Sequence, residues 1–468
     1  MKSTASILAT AVVLTTLTGC VTTPDFQMTE EQKNVIPQRW LGPSVQCQES
    51  INNLAEWWAT WSDPEIALLV EKSQSANTDI RVARENLRQA DAAMTIANAG
   101  MFPQADGEFR GGRSHFGGTG SNSFQIGLNL SLTLDAGGRY AAAQAAFSDY
   151  LYSKASLGQV QTAIAARVAQ AYISLRLAQR RVSVAEQNLK TQQEAYDLAN
   201  WRYKAGLVSS TDVDQAITSL EQTKASIPVY AAQVHQYRNL LAVLTSSRPD
   251  EVGQHQVKEI PQPPKNLALS IPGEVLRNRP DVRASEAQVM SAMARVTQAR
   301  SALFPSLTIS GSFGFSASTF GALGDAGTQS SSGFGTLNIP IFHAGSLLAQ
   351  LEQRNSQLES ARINYEASLL KGVQEVEDAL NTIWAQQLRE KSLREAERSA
   401  RSAAISAQQD YNAGLQDFTV VLTTQRTLLT VQEALASVEA EISNGYVALY
   451  KAVGGGWPVP QEFKENDK

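Results

Sequence analysis

The chain has 468 residues, with 40 Lys and Arg against 45 Asp and Glu, for a formal net charge of −5. That length allows two to four domains of ~100–200 residues, while 43% hydrophobic and 18% charged residues exclude a highly charged disordered chain. The acidic balance excludes a chain built as a whole to bind nucleic acid. No run of ~18 apolar residues follows residue 20 to make a spanning helix, and two Cys and four His leave little material for a metal site.

Lys2 and the short, Thr-rich apolar stretch from Ile7 to Leu17 read as a secretory signal, too short to cross a bilayer. The signal ends in Leu17-Thr18-Gly19-Cys20, which resembles the lipobox of bacterial lipoproteins. The resemblance implies cleavage before Cys20, a thioether lipid on its sulfur and an acyl chain on its amine. An ordinary cleavage site followed by a chance Cys is the alternative. Val21 stands where an Asp would retain a lipoprotein at the inner membrane, so it favours the outer membrane. Cys47 is then left alone, and no disulfide framework is implied.

Past the leader the chain is written twice. Asp79 and Asp281 stand 202 positions apart in similar surroundings, as do Phe102-Pro103 and Phe304-Pro305. Asp135-Ala136-Gly137 matches His343-Ala344-Gly345 at 208 positions, and Tyr203-Lys204-Ala205-Gly206-Leu207 matches Tyr411-Asn412-Ala413-Gly414-Leu415 at the same spacing. The slip of six fits a longer loop in the second copy. The chain divides into a leader over 1–19, a lipidated segment over 20–62, a first repeat over 63–246, a linker over 247–271, a second repeat over 272–453 and a tail over 454–468.

Each repeat reads helix, strand, strand, very long helix, turn, helix. The strand after Pro103 carries Gln104, Asp106, Glu108 and Arg110 on one face and is the weakest pattern. The next alternates Phe124, Ile126, Leu128, Leu130, Leu132 and Leu134 with polar residues. In the second copy Leu307, Ile309, Phe313 and Phe315 alternate likewise, and Leu337, Ile339 and Ile341 repeat the pattern. The stretches near Gly117 to Asn122 and Gly324 to Gly333 read as loops between strands. Apolar-out, polar-in strands of ~9–11 residues fit a transmembrane barrel; a soluble sandwich is the alternative. From about Gly138 to Tyr203 there is no proline, which implies a helix of roughly 100 Å. Val160, Ile164, Val168, Ala171 and Leu175 step by three and four as a coiled-coil seam, as do Leu369, Val373, Val376, Leu380 and Ile383. Pro228 is expected to end or kink the first returning helix. Four strands cannot close alone and open edges are not tolerated in lipid, so the chain must oligomerise, with eight strands from two copies or twelve from three.

Four further motifs carry a family resemblance. Trp57-Trp58-Ala59-Thr60-Trp61-Ser62-Asp63-Pro64-Glu65 resembles WWxxFxDPxL, Arg279 to Glu286 resembles RPDVRAAE, Pro340 to Gly345 resembles PIFxGG, and Gly454-Gly455-Gly456-Trp457 matches GGGW. Together and in order, they resemble the TolC-like outer-membrane efflux channels, in the lipoprotein branch that serves tripartite multidrug pumps of the RND type. The resemblance implies a fold that is mainly α with membrane β. A homotrimer would form a 12-stranded transmembrane β-barrel, four strands per chain, continued by a long α-helical coiled-coil barrel. It implies a passive outer-membrane exit duct, not an enzyme, with a periplasmic adaptor, an inner-membrane RND-type transporter and outer-membrane lipid as partners. No cofactor is implied beyond the covalent lipid on Cys20.

Nothing in the sequence competes with that reading by chemistry. No HExxH, GxSxG or GxxxxGK[ST] pattern is present, and the four His are scattered. A duct serving type I protein secretion, and a coiled-coil structural lipoprotein, are the alternatives. Local chemistry makes Pro280 and Asp281 a helix start and the Trp cluster packing. The resemblance implies that the turns after Gly206 and Gly414 form the periplasmic end and carry its gate, with Asp212 and Asp417 as candidate acids and Arg202, Tyr203, Tyr411 and Arg426 as candidate hydrogen-bonding partners. Both acids could instead only cap the helices that follow. Thr423 stands where the family often has an acid.

Overall fold

The computed structural model describes residues 23–24, 26–40, 54–252, 259–264, 272–458 and 460. Cys20, Cys47 and the leader lie outside the described residues. In chain order come α1 (Glu30–Asn34), a 3-10 turn (Leu54–Thr60), α2 (Pro64–Ala76), α3 (Thr78–Ala99), β1 (Gln104–Phe116), β2 (Thr119–Leu134), α4 (Gly138–Lys204) and α5 (Ser210–Leu244). They are followed by α6 (Pro272–Asn278), α7 (Pro280–Ser301), β3 (Ser306–Ala317), β4 (Gln329–Asn338), α8 (Ser346–Asn412) and α9 (Phe418–Ala452). The repetition is visible in helix length: α3 and α7 have 22 residues each, α4 and α8 have 67, and α5 and α9 have 35. The six-residue slip falls in the hairpins. β1 and β2 turn on Gly117 and Gly118, both at positive φ, which a two-residue turn of this hand requires. β3 and β4 are joined over 318–328, through a 3-10 turn at Phe320–Ala322.

The described residues form two compact units, one drawn from 1–30, 85–155 and 284–367, the other from 31–84, 156–283 and 368–468. The first holds an antiparallel sheet in the order β1-β2-β3-β4. Its register sets like against like. Asp106 faces Asn129, Thr133 faces Thr308 and Ser306 faces Asn338 on one side, while Leu128 faces Phe313 and Leu307 faces Leu337 on the other. The polar side is cross-linked by side chains: Asn129 Nδ2 donates to Glu108 at 3.0 Å, and the Thr133 and Thr308 hydroxyls meet at 3.2 Å. Two expected loops are strand instead. Thr119 to Asn122 belong to β2, and Gln329 to Gly333 belong to β4. In β4 the positions facing Ile309, Phe313 and Phe315 of β3 are Gly335, Ser331 and Gln329, and only Leu337, opposite Leu307, is apolar. Its alternation is therefore invisible to a hydrophobicity pattern, and pairing with β3 makes the strand. The pattern read through Ile341 stops at Asn338, just ahead of Pro340, which has no N–H to donate.

The second unit is helical, with a main core that contains the Trp cluster and a smaller one around Tyr411. Trp57 stacks on Tyr450 at 4.9 Å between ring centroids, and Trp58 and Trp61 pack edge-on to Trp57. The GGGW tail closes over them. The Gly456 amide donates to the Leu54 carbonyl at 2.9 Å, and the Trp457 indole N–H donates to the Asn278 carbonyl at 2.9 Å. Asp63 caps α2 through the Glu65 amide at 3.1 Å and accepts from the buried Tyr172 hydroxyl at 2.5 Å, to which Arg176 Nε donates in turn at 2.9 Å. The two repeats also share a device. Asn77, ahead of α3, donates to the last carbonyl of α5, Leu244, at 2.8 Å. Arg279, 202 positions on, donates to the last carbonyl of α9, Ala452, at 2.6 Å, and also pairs with Asp281 and Glu375. Burial works against the Arg279 charge, but the two carboxylates hold its pKa above the ordinary value. The RPDV motif is thus a clamp on a helix end. Of the two outcomes expected at Pro228, an end to the helix does not occur: α5 runs on through it, and it lies on the exposed side of the helix, so the carbonyl it frees, that of exposed Lys224, is open to water.

Candidate functional site

α4 and α8 end in the same motif. Gly206 and Gly414 have φ of 74° and 77°, the left-handed cap that favours glycine. The Leu207 amide donates to the Arg202 carbonyl at 2.9 Å, and the Leu415 amide to the Asp410 carbonyl at 2.8 Å. Leu207 and Leu415 are 72% and 75% exposed, so both turns present an apolar side chain outward. Behind the turns a small core holds Ala195, Ala199, Ala216, Ala407, Tyr411, Phe418, Val421 and Leu422.

The gate candidates divide around this core. Arg202, on the last turn of α4, donates through Nη2 to the Asn412 carbonyl at 2.8 Å, and its guanidinium lies 4.3 Å from the Tyr411 ring centroid. Tyr411 is buried and packs on Phe418 at 5.2 Å. This cation–π and backbone link ties the end of α4 to the end of α8 within one chain. Burial pushes the Tyr411 phenol above its ordinary pKa; the Arg202 charge opposes this and the Asp212 charge adds to it. The Tyr411 hydroxyl oxygen has no hydrogen-bond partner. Within the chain Arg202 meets Tyr411 chiefly over its ring face, and its charge and side chain also bear on the phenol, lowering its pKa against the effect of burial.

The acids sit differently from each other. Asp212 is in the first turn of α5, near enough to Tyr411 to act on it electrostatically. Asp417 occupies the N-cap position of α9, yet its carboxylate makes no capping hydrogen bond. Tyr203 is 47% exposed although it is the repeat partner of buried Tyr411. Arg426 is exposed, about two turns into α9, and its carbonyl accepts from Thr430 at 2.9 Å. Neither joins the cluster. The Thr423 hydroxyl turns back to the Thr419 carbonyl at 2.8 Å. Phe418 and Asn412 complete the link and were missed. Only an unusual aromatic at the first position of a helix hinted at Phe418.

Further along the same helices lies a cavity of about 300 Å3 lined by amides, among them Asn188, Gln408, Gln425 and Gln432. Gln425 is buried and its Oε1 has no hydrogen-bond partner. Among the described residues no group of His, Cys, Asp and Glu is arranged to hold a metal, and no helix is long and apolar enough to cross a membrane.

Comparison with known proteins agrees with this architecture. The family model of the outer membrane efflux proteins matches residues 69–247 and again 271–455. The chain is 30% identical over 464 residues to the solvent efflux pump outer membrane protein SrpC of Pseudomonas putida, covering 95% of this chain and 97% of that one. It is 30% identical over 384 residues to nodulation protein T of Rhizobium leguminosarum bv. viciae, covering 80% and 78%. The solved outer-membrane channel OprN superposes with a TM-score of 0.85 at 30% identity, over 94% of this chain and all of that one. Proteins of this kind are outer-membrane ducts and not enzymes, and the chain, with its repeated helices and four-stranded sheet, belongs to the outer membrane efflux protein family.

Proposed function

We propose that three copies of this outer-membrane efflux channel close a 12-stranded barrel, and that the trimer serves a tripartite pump as its exit duct. The observation that carries this is the sheet. Ile126, Leu128, Leu130, Ile309 and Phe313 on its apolar side are 45% to 51% exposed, while β1 and β4 are left as edges. An exposed apolar face suits lipid, and lipid requires the edges to be paired. The polar side then lines the bore. A periplasmic adaptor and an inner-membrane RND-type transporter supply cargo and energy. Solvents and drug-like small toxic compounds are the cargo we favour, since SrpC is named for solvent efflux. A lipid on Cys20 adds an anchor to one the sheet already provides, and the Arg202–Tyr411 link holds the periplasmic end closed at rest. Native mass spectrometry of the protein extracted from membranes tests the assembly. A particle of three chains, each starting at a triacylated Cys20, is expected. A monomer, or an unmodified chain, contradicts the corresponding part.

A further inference from the structure

The repeated tripeptides Asp135-Ala136-Gly137 and His343-Ala344-Gly345 are not used by the turns or by the core. Both lie where a strand passes into a 67-residue helix. The fold brings them to one place. Asp135 and His343 line a single cavity of about 460 Å3, together with Thr133, Arg139, Gln298 and Asn338. That volume falls within the ~300–1,000 Å3 of small-molecule sites.

The face on which the cavity opens follows from the register. Thr133 stands opposite Thr308, and Ser306 opposite Asn338, both on the polar side of the sheet. The cavity therefore continues the side that lines the bore in the reading above, on which this inference rests. Phe304, Pro340 and Leu347 also line it and make part of its surface apolar.

The two repeat-related residues have different duties. Both Asp135 carboxylate oxygens accept from the Arg139 amide, at 3.3 and 3.0 Å. A Cβ on Gly138 would lie 2.9 Å from that carboxylate and 2.2 Å from Ser301 Oγ, so a glycine keeps the corner tight. The first acid is thus engaged with the backbone. His343 contributes to its own turn only through its carbonyl, which accepts from the Ser346 amide at 2.9 Å. Its imidazole is exposed in the cavity. Arg139 donates one guanidinium N–H to the Gly100 carbonyl, and an arginine has five to give. Gln298 and Asn338 add amide donors. The cavity holds one guanidinium and one carboxylate, which balance in charge, so its preference is set by the donors that remain, the other Arg139 N–H groups, the imidazole and two amides, with apolar side chains also in its lining.

We propose that this junction cavity is a selectivity site for amphiphilic organic anions, carboxylates or sulfonates with an apolar body, recognised by Arg139 and His343. The anionic head meets the guanidinium and imidazole, and the body lies along Phe304, Pro340 and Leu347. Placing an acid at position 343 would make the second repeat like the first and surround the head with two carboxylates.

The test uses the full-length protein in planar bilayers with 1-naphthalenesulfonate as blocker and trimethyl-1-naphthylammonium as its cationic match. The sulfonate is expected to reduce conductance at lower concentration than the ammonium. His343→Asp and, separately, Arg139→Gln should each raise the half-blocking sulfonate concentration at least tenfold without weakening ammonium block. Arg139 also holds a backbone carbonyl, so His343→Asp, in an exposed turn, is the decisive variant. Unaltered sulfonate block in His343→Asp with normal conductance overturns this proposal and leaves the duct reading intact. Absence of any conductance from the wild-type protein and from Arg202→Ala alike overturns both.

Discussion

Tyr411 separates a hydrogen-bonded gate from a packed one. Its ring is buried against Phe418 and under Arg202, while its hydroxyl has no partner. A buried hydroxyl left unpaired costs about 1–3 kcal/mol, so Tyr411→Phe should leave stability unchanged or raise it by about 1 kcal/mol. Tyr411→Ala removes the ring and should cost about 3–5 kcal/mol locally. Arg202→Ala removes a cation–π contact of about 0.5–1 kcal/mol and a charge-assisted hydrogen bond of about 1.5–3 kcal/mol. If this link is the latch we propose, a loss of even 1 kcal/mol per chain shifts it about fivefold toward open, and the proposed trimer would carry three of them. Single-channel recording in planar bilayers reads the result. Tyr411→Phe should conduct as the wild type does, whereas Arg202→Ala and Tyr411→Ala should show higher conductance or longer openings. A Tyr411→Phe channel as open as Arg202→Ala would refute the reasoning, because only a hydroxyl bond could then have held the tip.

Three other outcomes follow from single contacts. In Gly158→Ala the new Cβ would stand 2.4 Å from Trp457 Cε3. Overpacking of about 1–3 kcal/mol is expected, and in a double-mutant cycle with Trp457→Ala the two losses should be less than additive; additive losses would place the strain elsewhere. Burial pushes the Tyr450 phenol up to about 12. The folded state resists its ionisation, so the stability it contributes is complete below pH 10 and is lost as pH rises from 10 to about 12. That loss is of order 3 kcal/mol, and the alkaline fall in unfolding midpoint should be shallower in Tyr450→Phe; an unchanged fall would place the titrating phenol elsewhere. Asp417 caps no amide with its side chain, so Asp417→Ala should melt as the wild type does yet lower the cation-over-anion permeability ratio measured by reversal potential. A lower melting point with unchanged selectivity would make it a cap.

Most of the architecture was legible because it is periodic. The seam of Ile164, Val168, Ala171 and Leu175, buried as expected, and the alternation from Phe124 to Leu134 are signals that one window of sequence contains. The repeat supplied the rest, since a weak strand after Pro103 gains support from the stronger one after Pro305. What failed was chemistry that depends on a neighbour. β4 is a strand because β3 pairs with Gly333 and Ser331, not because those residues favour one. α5 survives Pro228 because the freed carbonyl faces water. At the turns, glycine spacing marked the place, but the sequence could not tell buried Tyr411 from exposed Tyr203, which have the same local motif. Burial there is decided by Phe418 and Arg202, one across the turn and one 209 positions away.

The most direct test of the outer-membrane duct is its orientation, read by labelling whole cells with an impermeant maleimide in a Cys47→Ser background. Ala326→Cys lies in the exposed β3–β4 connection, and Ser210→Cys begins α5 beside the first helix turn. The account predicts labelling at position 326 on intact cells, and at position 210 only after the outer membrane is permeabilised. Labelling at 210 but not at 326 on intact cells, or at neither until permeabilisation, would contradict a barrel that spans the outer membrane with its helices in the periplasm.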